Sequence, residues 1–173
     1  MKKKATVYWL LLAKPERDLF CEVVRILRKE FRAPNFEPHL TLFSASKDRE
    51  SPKKILKQIS MRPIRLTTRG VGFSPKFTKT LFVRFKSSDA LRKLVADLGR
   101  AAKSQAKAPS DPHVSLLYTK LPRAAKKQLA AVMKLPFRSV VFDSIAAVRL
   151  TLPVHTGADI KKWKIIAKKS LRR

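Results

Sequence analysis

One short phrase occurs twice in this chain: Phe36-Glu37-Pro38-His39-Leu40-Thr41-Leu42-Phe43 and Asp111-Pro112-His113-Val114-Ser115-Leu116-Leu117-Tyr118. Each copy runs acid, proline, histidine, aliphatic, hydroxyl, aliphatic. Alternation along a β-strand puts His39 and Thr41 on one face, and His113 and Ser115 on one face, with Leu40, Leu42, Val114 and Leu116 turned the other way towards a core. The prolines suit a strand's first residue, where no ladder donor is needed, and they bias Glu37 and Asp111 towards extended backbone. Each copy is therefore an apolar strand that presents an imidazole and a hydroxyl together.

The two histidines lie 74 residues apart, which suggests a duplicated unit whose halves face each other across one cavity. A lone strand histidine is more often a hydrogen-bonded structural residue; two in matched contexts argue for chemistry. Two imidazoles on opposite sides of a phosphorus centre can serve as base and acid in an in-line displacement. Thr41 and Ser115 can donate to the non-bridging oxygens that carry charge during transfer. The scheme calls for no metal. Glu37 and Asp111, two residues before each histidine, are candidates to orient the imidazoles or raise their pKa, or else face solvent.

The paired His-x-Thr and His-x-Ser, each followed by an aliphatic residue, resemble the signature of the two-histidine (2H) phosphoesterase superfamily. Pro38-His39-Leu40-Thr41-Leu42-Phe43, with the tail Lys162-Trp163-Lys164-Ile165-Ile166-Ala167, looks most like its cyclic phosphodiesterase branch, related to the RNA 2',5'-ligase-like proteins. The resemblance covers almost the whole chain. It implies a single bilobal domain over residues 1–173, with halves of about 1–86 and 87–173, whose two mostly antiparallel sheets flank a central cleft with helices outside. His39 and Thr41 would then stand on one wall and His113 and Ser115 on the other. It also implies that Tyr118 lines the cleft, although strict alternation puts Tyr118 opposite His113 unless the strand bulges or ends before it.

Composition narrows the remaining classes. With 173 residues, 45% of them hydrophobic, the chain can build a core of ordinary domain size. One cysteine, Cys21, excludes an internal disulfide and a cysteine-rich metal site. Four glycines form no phosphate-cradling loop, so nucleotide-dependent kinase and ATPase classes fall away. Neither a cofactor nor a metal is expected. Forty Lys and Arg against twelve Asp and Glu give a net charge of +28, a field that draws polyanions and depends strongly on salt. RNA bound non-specifically through a basic surface is the natural partner, and the alternative is a merely solvated cationic surface. Lys2-Lys3-Lys4 before an apolar run imitates a signal peptide, but Ala13-Lys14-Pro15 is a poor cleavage site and Val7–Leu12 reads as a buried strand. A cytoplasmic monomer without a membrane span is expected.

Taken in order, the chain reads as a first strand over Thr6–Leu12, a helix from Pro15 to Arg32, the first motif strand and a short helix after Ser51-Pro52. Strands over about Ile64–Phe73 and Thr78–Phe85 follow. A helix after Ser87-Ser88-Asp89 and a basic link Lys103–Pro109 lead to the second motif. Then come a helix from Pro122 to about Met133 with Leu129 and Val132 buried, and strands over about Ser144–Val154 and Lys162–Leu171; Ile160, Trp163 and Ala167 would also suit a helix, and the resemblance implies the strand. His155 reads as a loop residue. The order repeats a five- or six-element unit, an α+β fold with mostly antiparallel sheets. Phe77 and Thr80 are candidates for the cleft wall, Phe77 by stacking on a base, and Trp163 for either the wall or the core.

The function expected is hydrolysis of a 2',3'-cyclic phosphate, on a nucleotide, an RNA end or an ADP-ribose derivative. The resemblance implies a 2'-phosphate product, and the activity is expected to be bell-shaped in pH around neutrality. The competing readings are 2',5'-phosphodiesterase or ligase-like chemistry on longer RNA, and a basic RNA-binding module without catalysis. Replacing either histidine separates them: His39→Ala or His113→Ala is expected to lower turnover roughly 10²–10⁴-fold with RNA affinity little changed. Native turnover by the double variant would remove the two-histidine scheme.

Overall fold

The first strand, β1 (Lys3–Leu12), is apolar on both faces because both are covered. Tyr8, Leu10 and Leu12 enter the main core, whereas Val7, Trp9 and Leu11 join a thinner apolar layer with Ala146, Val148 and Leu150. The computed structural model describes residues 2–45 and 50–172. Within them β2 (His39–Ala45), β3 (Ile64–Phe73), β4 (Leu81–Phe85), β5 (His113–Leu117), β6 (Ser139–Leu152) and β7 (Lys164–Ser170) are all antiparallel to their neighbours. Five helices, α1 (Glu16–Glu30), α2 (Pro52–Gln58), α3 (Asp89–Ala101), α4 (Arg123–Val132) and α5 (Gly157–Lys161), complete an α+β fold.

The two expected sheets are continuous. The strand order is β1-β2-β5-β4-β3-β6-β7, and β1 also pairs with β6, so six strands close a circuit with β7 beside β6. The 14-residue length of β6 makes this possible. Along one edge it carries β1, and along the other β3 and then β7 in succession. The circuit is thinnest between β2 and β5, joined by one residue pair, Leu40 with Val114.

Local sequence accounts for most boundaries. Glu16 and Asp18 in the first turn of α1, and Arg28 and Lys29 in its last, complement the helix dipole, and Phe20, Val24 and Leu27 are its buried stripe. Ser88 caps α3 by accepting from the Leu91 N–H.

Three expectations are corrected. The strand expected to open at Thr78 starts at Leu81, because Phe77–Lys79 winds into one turn of 3-10 helix. The last strand begins at Lys164, preceded by α5, whose capping box joins Thr156 to Asp159. Val132 is 67% exposed: α4 ends there, and Met133, Leu135 and Phe137 of the extended segment beyond cover the core instead.

Leu40 is fully buried at the junction of β1, β2 and β5. Leu40→Ala is expected to lower unfolding free energy by about 2–5 kcal/mol and Val132→Ala to change it by less than about 0.5 kcal/mol. Denaturant midpoints of the two variants check the contrast.

Candidate active site

The repeated motifs meet at the Leu40–Val114 pair. An antiparallel pair has local two-fold symmetry, so the register carries His39 towards Ser115 and Thr41 towards His113. A β-bulge follows each motif: Tyr8 and Trp9 pair with Phe43 and Thr41, skipping Leu42, and Leu81 and Phe82 pair with Leu117 and Ser115, skipping Leu116. Each extra residue resets the alternation. In β2 the result is that Leu42 and Phe43 both enter the core while Thr41 and Ser44 both line the cavity. That cavity, of about 340 Å³, is also lined by His39, His113 and Ser115.

Both imidazoles are held in the same way. Nδ1 of His39 lies 2.6 Å from the carbonyl oxygen of Glu37, and Nδ1 of His113 lies 2.8 Å from that of Asp111. A carbonyl can only accept, so each Nδ1 carries the proton and donates it, which leaves Nε2 as the basic nitrogen available to the cavity. Trp9 stacks on His39 with ring centroids 3.6 Å apart and planes 10° from parallel, and Phe82 meets His113 edge-on at 5.2 Å. Gly72, opposite Phe82, leaves room for that ring, since a Cβ there would come within 2.8 Å of it. Burial of His39 pushes its imidazole down to about 4, against the raising effect of its backbone bond, with His113 lowering it further. Burial also lowers His113; there the Asp111 bond and charge oppose the fall, and Lys79 and Arg84 assist it.

The carboxylates that precede the histidines act at one remove. Glu37 and Asp111 bond the imidazoles through backbone carbonyls, while their side chains turn to cations. Arg17 donates to Glu37 at 2.6 Å; Lys79 and Arg84 donate to Asp111 at 2.8 and 3.0 Å. Burial pushes the Asp111 carboxyl up, but these bonds outweigh it and hold the group below its ordinary value.

Of the remaining expected residues, Tyr118 and Trp163 line the cavity and Phe77 and Thr80 do not. The bulge at Leu116 sends Leu116 and Leu117 both to the core, so Tyr118, the next residue, turns in to the cavity. Phe36 stacks on Tyr118 at 3.8 Å; Phe77, tilted against it at 6.3 Å, supports it without lining the cavity. Burial raises the Tyr118 phenol well above its usual range, against a hydrogen bond with Ser115. Thr80 is buried, and its hydroxyl is committed to the carbonyls of Phe77 and Thr119 and to the Thr119 N–H. The Ser115 hydroxyl donates to the Thr78 carbonyl at 2.9 Å, so it must rotate to serve a ligand.

Trp163 stands in the turn between α5 and β7, held by the segment 153–163. There Asp159 accepts from Lys2 at 2.5 Å, from the His155 and Thr156 N–H groups and from the Thr156 hydroxyl. His155 lies in that loop as expected, outside the cavity lining. Trp9, Ser44, Lys76 and Lys79 also line the cavity, with no signal in the sequence to mark them. Among the described residues, no three of His, Cys, Asp and Glu cluster as metal ligands, and no helix is long and apolar enough to cross a membrane.

The chain belongs to the 2'-5' RNA ligase superfamily, whose profile matches residues 17–152. This places it among the 2H phosphoesterases, enzymes that act on phosphodiesters, in agreement with the paired motifs. A crystal structure of E. coli LigT complexed with 3'-AMP is similar over 98% of this chain and 99% of that one, with a TM-score of 0.60 at 14% identity. TT0787 of Thermus thermophilus is similar over 97% and 98%, with a TM-score of 0.55 at 22% identity. A phosphoesterase structure covers 99% and 100%, with a TM-score of 0.60 at 16% identity. At these identities the likeness is one of fold. No curated protein matches the chain.

Asp111→Asn keeps the carbonyl that holds His113 but removes the charge that raises its pKa and leaves Lys79 and Arg84 uncompensated. The His113 pKa is therefore expected to fall below the native value, as read by NMR titration of its Cε1 proton. An unchanged or higher value would show that the carboxylate does not act on the imidazole.

Proposed function

We propose that this protein hydrolyses 2',3'-cyclic phosphates of a nucleotide, an RNA end or an ADP-ribose derivative to a 2'-phosphate by paired histidine acid–base catalysis. The observation that carries the reading is the pair of imidazoles, each fixed in tautomer by its own backbone carbonyl, lining one cavity with Thr41 and Ser115. Water attacks phosphorus, one histidine removing its proton as the new P–O bond forms. The bond to the 3' oxygen breaks in line, and the second histidine protonates that leaving oxygen. Thr41 and Ser115 donate to the non-bridging oxygens. Tyr118 and Trp163 give the nucleoside an aromatic wall.

The environments of the two histidines support a division of roles. His39, lowered to about 4 under Trp9, is neutral near pH 7 and serves as base. His113, less buried and backed by the Asp111 carboxylate, is the easier of the two to protonate and serves as acid once an anionic phosphate sits beside it. The same cavity would run ligase-like chemistry if an RNA 5'-hydroxyl replaced water. The superfamily match favours keeping that second reading, as the charge of +28 favours an RNA substrate.

Incubation in the presence of EDTA with 2',3'-cyclic nucleotides and with a short RNA ending in a cyclic phosphate tests the proposal. Release of 2'-phosphates is expected. Intact substrates, with salt-sensitive RNA binding, would point to ligation or to a binding module. The pH dependence follows from the two imidazoles. In the free enzyme the base titrates at about 4 and the acid below its ordinary value, so kcat/KM is expected to peak on the acid side of about 6.5. Bound phosphate raises His113, so the descending limb of kcat lies at higher pH. A kcat/KM still climbing between pH 7 and 8 would refute this assignment.

A further inference from the structure

The cavity's two rims are unlike. One, on the β6 side, is lined by apolar Leu150, Leu152 and Val154 with Trp163; the other, on the β4 side, by Lys76, Thr78 and Lys79. A volume of about 340 Å³ is near the lower limit of small-ligand sites, room for one nucleoside with its reacting phosphate. Anything attached at that nucleoside's 5' oxygen must leave over a rim. The apolar rim would strip water from an anion without replacing it, so a phosphate leaves over the basic one.

The two lysines on that rim are not equivalent. Lys79 is bound to Asp111 at 2.8 Å and lies 4.4 Å over the Phe82 ring, so its charge is already matched. Lys76 is exposed, and no acidic group pairs with it among the described residues. Its backbone is nevertheless pinned, its N–H donating to the Ser74 hydroxyl and its carbonyl accepting from the Lys79 N–H. A fixed backbone with an uncommitted ammonium at a cavity mouth is suited to an anion that arrives with the ligand.

We propose that Lys76 forms a second phosphate subsite, which reads the phosphate on the 5' oxygen of the nucleoside whose cyclic phosphate is cleaved. The inference rests on the cyclic phosphodiesterase reading and sharpens its substrate: a cyclic phosphate carried by a nucleoside with a 5'-phosphate, as monoester or as the next link of an RNA chain. Lys76 is thus a specificity residue, and the reacting phosphorus remains with His39 and His113.

Three probes test it: 2',3'-cyclic AMP with a free 5'-hydroxyl, its 5'-phosphorylated form, and the dinucleotide ApA ending in the cyclic phosphate. The native protein is expected to favour the two phosphate-bearing probes by roughly tenfold or more in kcat/KM, the scale of a hydrogen bond to a charged group. Their kcat/KM is also expected to fall more steeply with salt than that of the hydroxyl probe. Lys76→Met, which keeps the aliphatic stem, brings the ratio of kcat/KM values towards one. A preference confined to the dinucleotide would assign the subsite to the chain diester; one shared by both, to phosphate as such. A native ratio near one, or a ratio and salt slope unchanged in K76M, overturns the subsite and leaves the cyclic phosphodiesterase standing. No turnover of any probe by the native protein overturns both.

Discussion

A single backbone pairing, Leu40 against Val114, joins β2 to β5 where the repeated motifs meet, the thinnest point of the strand circuit. Each motif is anchored on its outer side by a longer ladder, β2 on β1 and β5 on β4. On the inner side one pair suffices to set the register. The bulges at Leu42 and Leu116 complete the arrangement, because each returns the chain to the core after presenting its histidine and hydroxyl.

Carboxylates are scarce in this protein, twelve against forty Lys and Arg, and three of them brace the cavity from outside. Glu37 holds Arg17, Asp111 holds Lys79 and Arg84, and Asp159 holds Lys2 with the loop that delivers Trp163. None lines the cavity. Arg17, Lys79 and Arg84 are thereby matched, and the imidazoles stay neutral chiefly through burial. The long-range positive field stays available to attract a polyanion, while close to the reacting groups desolvation decides the protonation state.

Much of this was legible in the chain. The face shared by His39 and Thr41 follows from strand alternation, the order of strands and helices from hydrophobic period, and the first-turn acids of α1 from capping rules. The misreadings share a cause. Thr80 was expected on a cavity face because alternation was extended through residues that in fact wind into a 3-10 turn. Trp9 reads as core because an apolar strand gives no sign that its second face borders a cavity. Val132 keeps the helical period of α4, but the next segment takes the core position it would have filled.

The repeated strand, the residue types it presents and the basic charge are properties of the chain alone, since they depend on neighbours a few positions apart. Folding was needed to tie Nδ1 of each histidine to the carbonyl two residues earlier, to cover one imidazole with Trp9 and the other with Phe82, and to neutralise Lys79 of the two rim lysines and not Lys76. Tautomer, burial and ion pairing depend on distances of a few ångströms, many of them between groups far apart in the chain. Those distances are set when β1, β2, β5 and β4 lie side by side.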